Sequence, residues 1–106
     1  MSSFKVDFDS IDWQSRRPGM RFKLYREGSN QLRLMEFLNG DVDPHRCEEG
    51  HIGMVLSGGL EIDFNGKVVS FKEGDGIFIP SGASSAHRAT SIKAGTRLLF
   101  VEEVRE

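Results

Sequence analysis

Three histidines and one cysteine, His45, Cys47, His51 and His87, are the strongest transition-metal donors in this chain. Neutral imidazole and thiolate are the side-chain groups that such ions prefer. Three of the four crowd into Asp43-Pro-His45-Arg-Cys47-Glu-Glu-Gly-His51. In an extended strand, residues i and i+2 share a face, so His45 and Cys47 are expected to project together. Glu48-Glu49-Gly50 reads as a turn, after which His51 opens the apolar run Ile52-Gly-Met-Val-Leu56. A strand–turn–strand of this kind can bring all three side chains to one point. A lone histidine is ordinarily a surface or satisfied core residue; inclusion of the only cysteine sets this cluster apart.

The elements that must position these residues are short. Met20-Arg-Phe-Lys-Leu-Tyr-Arg26 alternates apolar and polar, the pattern of a half-buried strand, and Leu32–Leu38 does so with one irregularity. Leu60–Phe64 and Lys67–Phe71 flank Asn65-Gly66, a strong hairpin signal because both residues tolerate positive φ. Further runs follow at Gly76–Ile79, His87–Thr90 and Arg97–Val104. No stretch of ten or more residues carries a 3.6-residue period, and short strands at this spacing predict an all-β antiparallel sandwich or barrel.

Spacing within and beyond the cluster carries a resemblance. The run His45-x-Cys47-x3-His51-x6-Gly58 resembles the first motif of the cupin superfamily, in which His-x-His is followed by Glu and then Gly. The second cupin motif, Gly, five residues, Pro-x-Gly, is matched by Gly74-Asp-Gly-Ile-Phe-Ile-Pro80-Ser-Gly82. Gly53–Gly58, Lys72–Asp75 and the segment from Trp13 to Pro18-Gly19 also look like small single-domain cupins, so the resemblance spans about residues 13 to 104. It implies a double-stranded β-helix, or jelly-roll barrel, as one domain over residues 1–106, holding a metal inside one end. The chain departs from the family pattern in three places. Cys47 replaces the second His, His51 replaces the Glu, and the last His position falls on Ser85, two residues before His87. Either Ser85 and His87 share a strand face, so that His87 takes over, or a longer loop shifts the register.

The ligand set implied in this way is His45, Cys47, His51 and His87, with a divalent transition metal (Zn, Fe, Ni or Mn) as cofactor. Four ligands would close a tetrahedral structural site, whereas three leave a position for water, oxygen or substrate. Gly53 and Ser85 are expected at the pocket. Gly53 either opens space for a ligand or eases a close strand crossing. Arg46 and Arg88 should point away from the ligands, and Phe64, Phe71, Phe78, Phe100 and Met54 read as core. Trp13 either caps the barrel or sits at a dimer contact. Ser81, Ser84 and Ser85 lack the elbow motif of a serine nucleophile. Glu48 or Glu49 is a candidate outer hydrogen-bond partner for a ligating His.

Composition bounds the function classes. Fourteen basic and sixteen acidic residues, with no Lys/Arg cluster, exclude a nucleic-acid groove or an anionic-membrane surface. No apolar run approaches the length of a membrane span, the N-terminus lacks the apolar core of a signal peptide, and one cysteine fits a reducing compartment. The expected location is the cytoplasm and the expected partners are a small molecule and a second copy, paired through a strand at Phe4–Phe8. Two functions follow from the resemblance. One is metal-dependent chemistry on a small anionic metabolite, dioxygenase- or isomerase-like; the other is a non-catalytic binding or sensing cupin, metal-free or with a closed Zn site.

Overall fold

The computed structural model describes residues 4–104; residues 1–3 and 105–106 of the expected single domain, and with them the first residues of the signal-peptide reading, lie outside the described residues. Among the described residues nine strands form two antiparallel sheets: β1 (Gln14–Arg17), β2 (Met20–Glu27), β3 (Asn30–Phe37), β4 (His51–Ser57), β5 (Gly59–Phe64), β6 (Lys67–Lys72), β7 (Gly76–Ile79), β8 (Arg88–Ile92) and β9 (Thr96–Glu103). The six-stranded sheet runs β1-β2-β3-β9-β4-β7, and the three-stranded sheet runs β6-β5-β8. The architecture is the expected all-β jelly-roll barrel.

Local chemistry sets the turns. Asn65 and Gly66 both take positive φ, which joins β5 to β6 with a tight reversal in register with Phe64↔Lys67. At the β6–β7 turn Gly74 has φ +89, and the Asp75 carboxylate accepts from the Lys72 amide at 2.9 Å.

Alternation then divides the strands into two faces. Phe22, Met35, Phe37, Val55, Leu60, Ile62, Ile77, Ile79, Ile92, Leu98 and Phe100 form the core between the sheets, with Phe64 and Phe71 packed against it. Phe78 and Met54 depart from expectation: both are exposed on the outer face. The reason is parity. Ile77 and Ile79 take the inward positions of β7, and Gly53 and Val55 those of β4, leaving Phe78 and Met54 to point outward. The same parity turns His51 inward.

The N-terminal segment also differs from expectation. Phe4–Phe8 forms no strand; the chain enters a 3-10 turn at Phe8–Ser10, and the strand at that edge of the sheet is β1. Trp13 does not cap the barrel. It lies over the outer face of the large sheet, with the Arg21 guanidinium 4.1 Å and the Lys23 amine 4.8 Å from its ring. Beside it Glu36 is held by Arg21 and by Arg97, the latter at 2.6 Å. Burial raises its pKa, but those two hydrogen bonds and charges outweigh it and hold the carboxyl below its usual value.

Candidate metal centre

The segment carrying His45 and Cys47 forms no regular strand. Its Cys47 forms an isolated bridge to His87, in which the Cys47 amide donates to the His87 carbonyl at 2.7 Å and the His87 amide returns a bond to the Cys47 carbonyl at 2.9 Å. This pair sets Cys47 beside His87, and β4 delivers His51 from the opposite sheet. One donor atom each from Cys47, His51 and His87 lies within 4.8 Å of the other two, the only such group of three among the described residues.

His45 stands apart. Its backbone amide and its Nδ1 both bond the Asp43 carboxylate, at 2.9 and 2.8 Å, and its side chain is 87% exposed. Asp43-Pro44 makes a local turn here rather than a strand, so the i, i+2 rule that would align His45 with Cys47 does not apply. His45→Ala is therefore expected to leave metal stoichiometry and affinity within about twofold of wild type, measured by equilibrium dialysis.

The rings of the group are tightly framed. His51 stacks on Phe100 with centroids 4.8 Å apart and meets the His87 ring edge-on at 5.3 Å; Phe64 covers the other side of His87 at 5.7 Å. His87 Nδ1 lies 2.9 Å from the Ser85 carbonyl. That carbonyl can only accept, so Nδ1 carries the proton and Nε2 keeps its lone pair. Ser85 thus supports His87 through its backbone, and it is His87 that joins the group. Ser85 also lines a pocket of about 410 Å³ between β6 and β7, with Phe64, Phe71, Phe78 and Pro80. A second hollow of about 250 Å³ lies over the outer face, between Phe4–Val6 and Tyr25, Leu32 and Val101, away from the group.

Gly53 opens no space for a ligand. A Cβ there would fall on the Leu99 carbonyl and lie 2.9 Å from Phe100 Cδ1, so the missing side chain serves the close β4–β9 approach and the Phe100 ring. Arg46 points away from the group, drawn to β5 by its guanidinium, which donates to Asp63 at 2.8 Å. That bond, followed by one from the Gly66 amide, holds the Asp63 carboxyl below its usual range.

Sequence reasoning missed the polar residues behind His51. Glu102 accepts from Gln31 Nε2 at 2.7 Å and from an Arg33 terminal nitrogen at 2.6 Å. Its Oε2 lies 4.0 Å from His51 Nδ1. The signal was present: counting by twos from core residues Leu98 and Phe100 turns Glu102 inward.

The donor set fits a transition metal. Two imidazoles and a thiol are borderline-soft donors, and atoms within 4.8 Å of one another need to draw in by only about 1 Å to reach the roughly 3.3–3.8 Å separation of tetrahedral ligands with Zn bonds of about 2.0–2.3 Å. His51 Nδ1 is buried with no hydrogen-bond partner, an unusual cost for a ring that merely fills the core. Burial, then the charges of His87 and Arg33, depress the His51 pKa below 6.5, so its neutral, ligand-competent form persists into mild acid.

A pH effect on stability follows. The unfolded chain binds this proton at about pH 6.5 and the folded chain only at lower pH, so between those values the unfolded state holds more protons. The His51 contribution is full above pH 6.5 and declines as pH falls towards the folded value. In thermal melts of chelated protein, His51→Phe should flatten the decline in this window.

A family profile described as a cupin domain matches residues 33–102, and the chain belongs to that family. The fold agrees with solved structures. KdgF from Halomonas sp. superposes with a TM-score of 0.77 at 22% identity, over 92% of each chain. An RmlC-like cupin from Shewanella frigidimarina gives 0.75 at 16%, over 99% of this chain and 94% of the other. A cupin-superfamily sugar phosphate isomerase from Silicibacter pomeroyi gives 0.71 at 18%, over 96% and 76%. No curated protein matches the chain. Among the described residues no helix is long and apolar enough to cross a membrane.

Proposed function

We propose that this chain is a metal-dependent cupin that acts on a small anionic metabolite, with Cys47, His51 and His87 as the ligands. The observation that carries this reading is the convergence of one donor atom from each of the three side chains within 4.8 Å of one another. A bound divalent ion would supply Lewis-acid polarisation of a substrate oxygen. The chain's own residues do the rest. Ser85 fixes the His87 tautomer, and Phe100 and Phe64 hold the two rings and keep water from their faces. With three protein ligands a position stays open for that substrate.

Likeness to a sugar phosphate isomerase supports the isomerase form of this chemistry over the dioxygenase form. The test is to load the protein separately with Zn, Fe, Ni and Mn and to follow conversion of sugar phosphates and small carboxylic acids, with oxygen consumption recorded for the Fe form. Turnover by one metal form that is lost in His87→Ala is expected. No turnover with any metal, together with a metabolite that raises the melting temperature of chelated protein, would replace the enzyme by a binding or sensing module.

A second copy of the chain is the partner we propose for the outer face, with the cytoplasm as its location. Ile52, Phe78 and Val101 stand in register there and each is at least half exposed. Contiguous apolar strips of this kind are uncommon on monomers. Light scattering should give twice the chain mass, and Ile52→Glu should halve it; a wild-type monomer at every concentration removes the idea.

A further inference from the structure

We propose that Glu102 is the positioning residue for His51: its carboxylate accepts a hydrogen bond from the Nδ1–H of that ring and so turns the other nitrogen towards the metal group. The inference rests on the reading of Cys47, His51 and His87 as ligands.

Three observations lead to it. First, His51 Nδ1 is buried and unpartnered, and Glu102 Oε2 stands 4.0 Å from it, too far for a hydrogen bond. Second, the converging group of donors is Cys47, His51 and His87, and Glu102 is not a member of it. It is therefore placed behind His51 and not among the ligands. Third, the carboxylate is anchored by Gln31 on Oε1 and Arg33 on Oε2. An ionised carboxylate offers about four lone-pair sites, so Oε2 retains capacity for a further donor.

The framing of His51 limits how it can answer. Phe100 lies against one face at 4.8 Å and His87 meets it edge-on, so the ring can slide in its own plane more readily than it can tilt. Arg33 sits over the same Phe100 ring, 5.5 Å from its centroid, which ties the anchor of Glu102 to the platform of His51. A slide of about 1 Å closes the 4.0 Å gap to hydrogen-bond length, roughly 2.7–3.2 Å. A ligating imidazole needs an acceptor for its second N–H; such a partner fixes the tautomer and raises the basicity of the ligating nitrogen. Glu102 is placed to be that acceptor, and strands β3, β9 and β4 each contribute one member of an Arg33–Glu102–His51 chain.

Glu102→Gln keeps the size and removes the charge. Zinc affinity, measured by competition with a chromophoric chelator, should fall by about 10–100-fold while the stoichiometry stays at one. Circular dichroism of metal-free protein should show both forms folded. Nitrogen-15 NMR of the wild-type rings gives a readout independent of any variant. On zinc addition His51 should show a protonated Nδ1, with its proton shifted downfield by a strong hydrogen bond. Wild-type zinc binding with equal affinity in Glu102→Gln, or a metal-bound Nδ1 in the wild-type spectrum, overturns the role of Glu102 and leaves the metal group standing. Absence of zinc binding by wild type overturns both.

Discussion

His87→Ala is expected to abolish stoichiometric metal binding while the barrel stays folded. The substitution removes one of three donors and leaves the two backbone bonds that join Cys47 to this strand, because those run through main-chain atoms. Losing an outer partner of a ligand already costs about 10–100-fold in affinity, so losing the ligand itself should cost more than 100-fold. The cavity left beside Phe64 and His51 should lower stability by roughly 1–3 kcal/mol, which a domain of this size can tolerate. Dialysis against zinc, followed by elemental analysis, checks the first expectation, and urea unfolding of chelated protein checks the second. Retained affinity would mean that the imidazole of His87 is packing and not a ligand.

Gly53→Ala should be the most damaging single methyl group in the chain. The added carbon would overlap the Leu99 carbonyl, which is backbone and cannot swing aside, and would press on the Phe100 ring. Overpacked cores ordinarily lose about 1–3 kcal/mol, and here strands β4 and β9 must separate, so the loss should reach or pass the top of that range. Because His51 stacks on Phe100, the same change should weaken metal binding in whatever fraction remains folded. A melting temperature within a degree or two of wild type would show that the two strands have room to spare.

The fold was largely legible before the structure. Strict alternation over Met20–Arg26 and the Asn65-Gly66 reversal place β2, β5 and β6 directly, and the spacing of Gly74 and Pro80 carries the resemblance to cupins. What failed was local. The i, i+2 rule held no force at His45 because Asp43 captures both its amide and its ring, a side-chain bond that competes with extended backbone. The phenylalanines were assigned to the core by type, but on β7 the two isoleucines own the inward positions. Glu102 escaped notice because it is far from the histidines in sequence, and only pairing of β9 with both β3 and β4 brings it behind His51. His87 could not be preferred to Ser85 until the 3-10 turn Ala83–Ser85 showed the Ser85 carbonyl holding its ring.

The central claim is that Cys47, His51 and His87 hold a metal ion. Elemental analysis of untagged protein, purified without chelator and run beside His51→Ala, tests it most directly. The expected result is near one equivalent of a single transition metal, absent from the variant. No metal in the wild type, and none taken up on reconstitution, would contradict it.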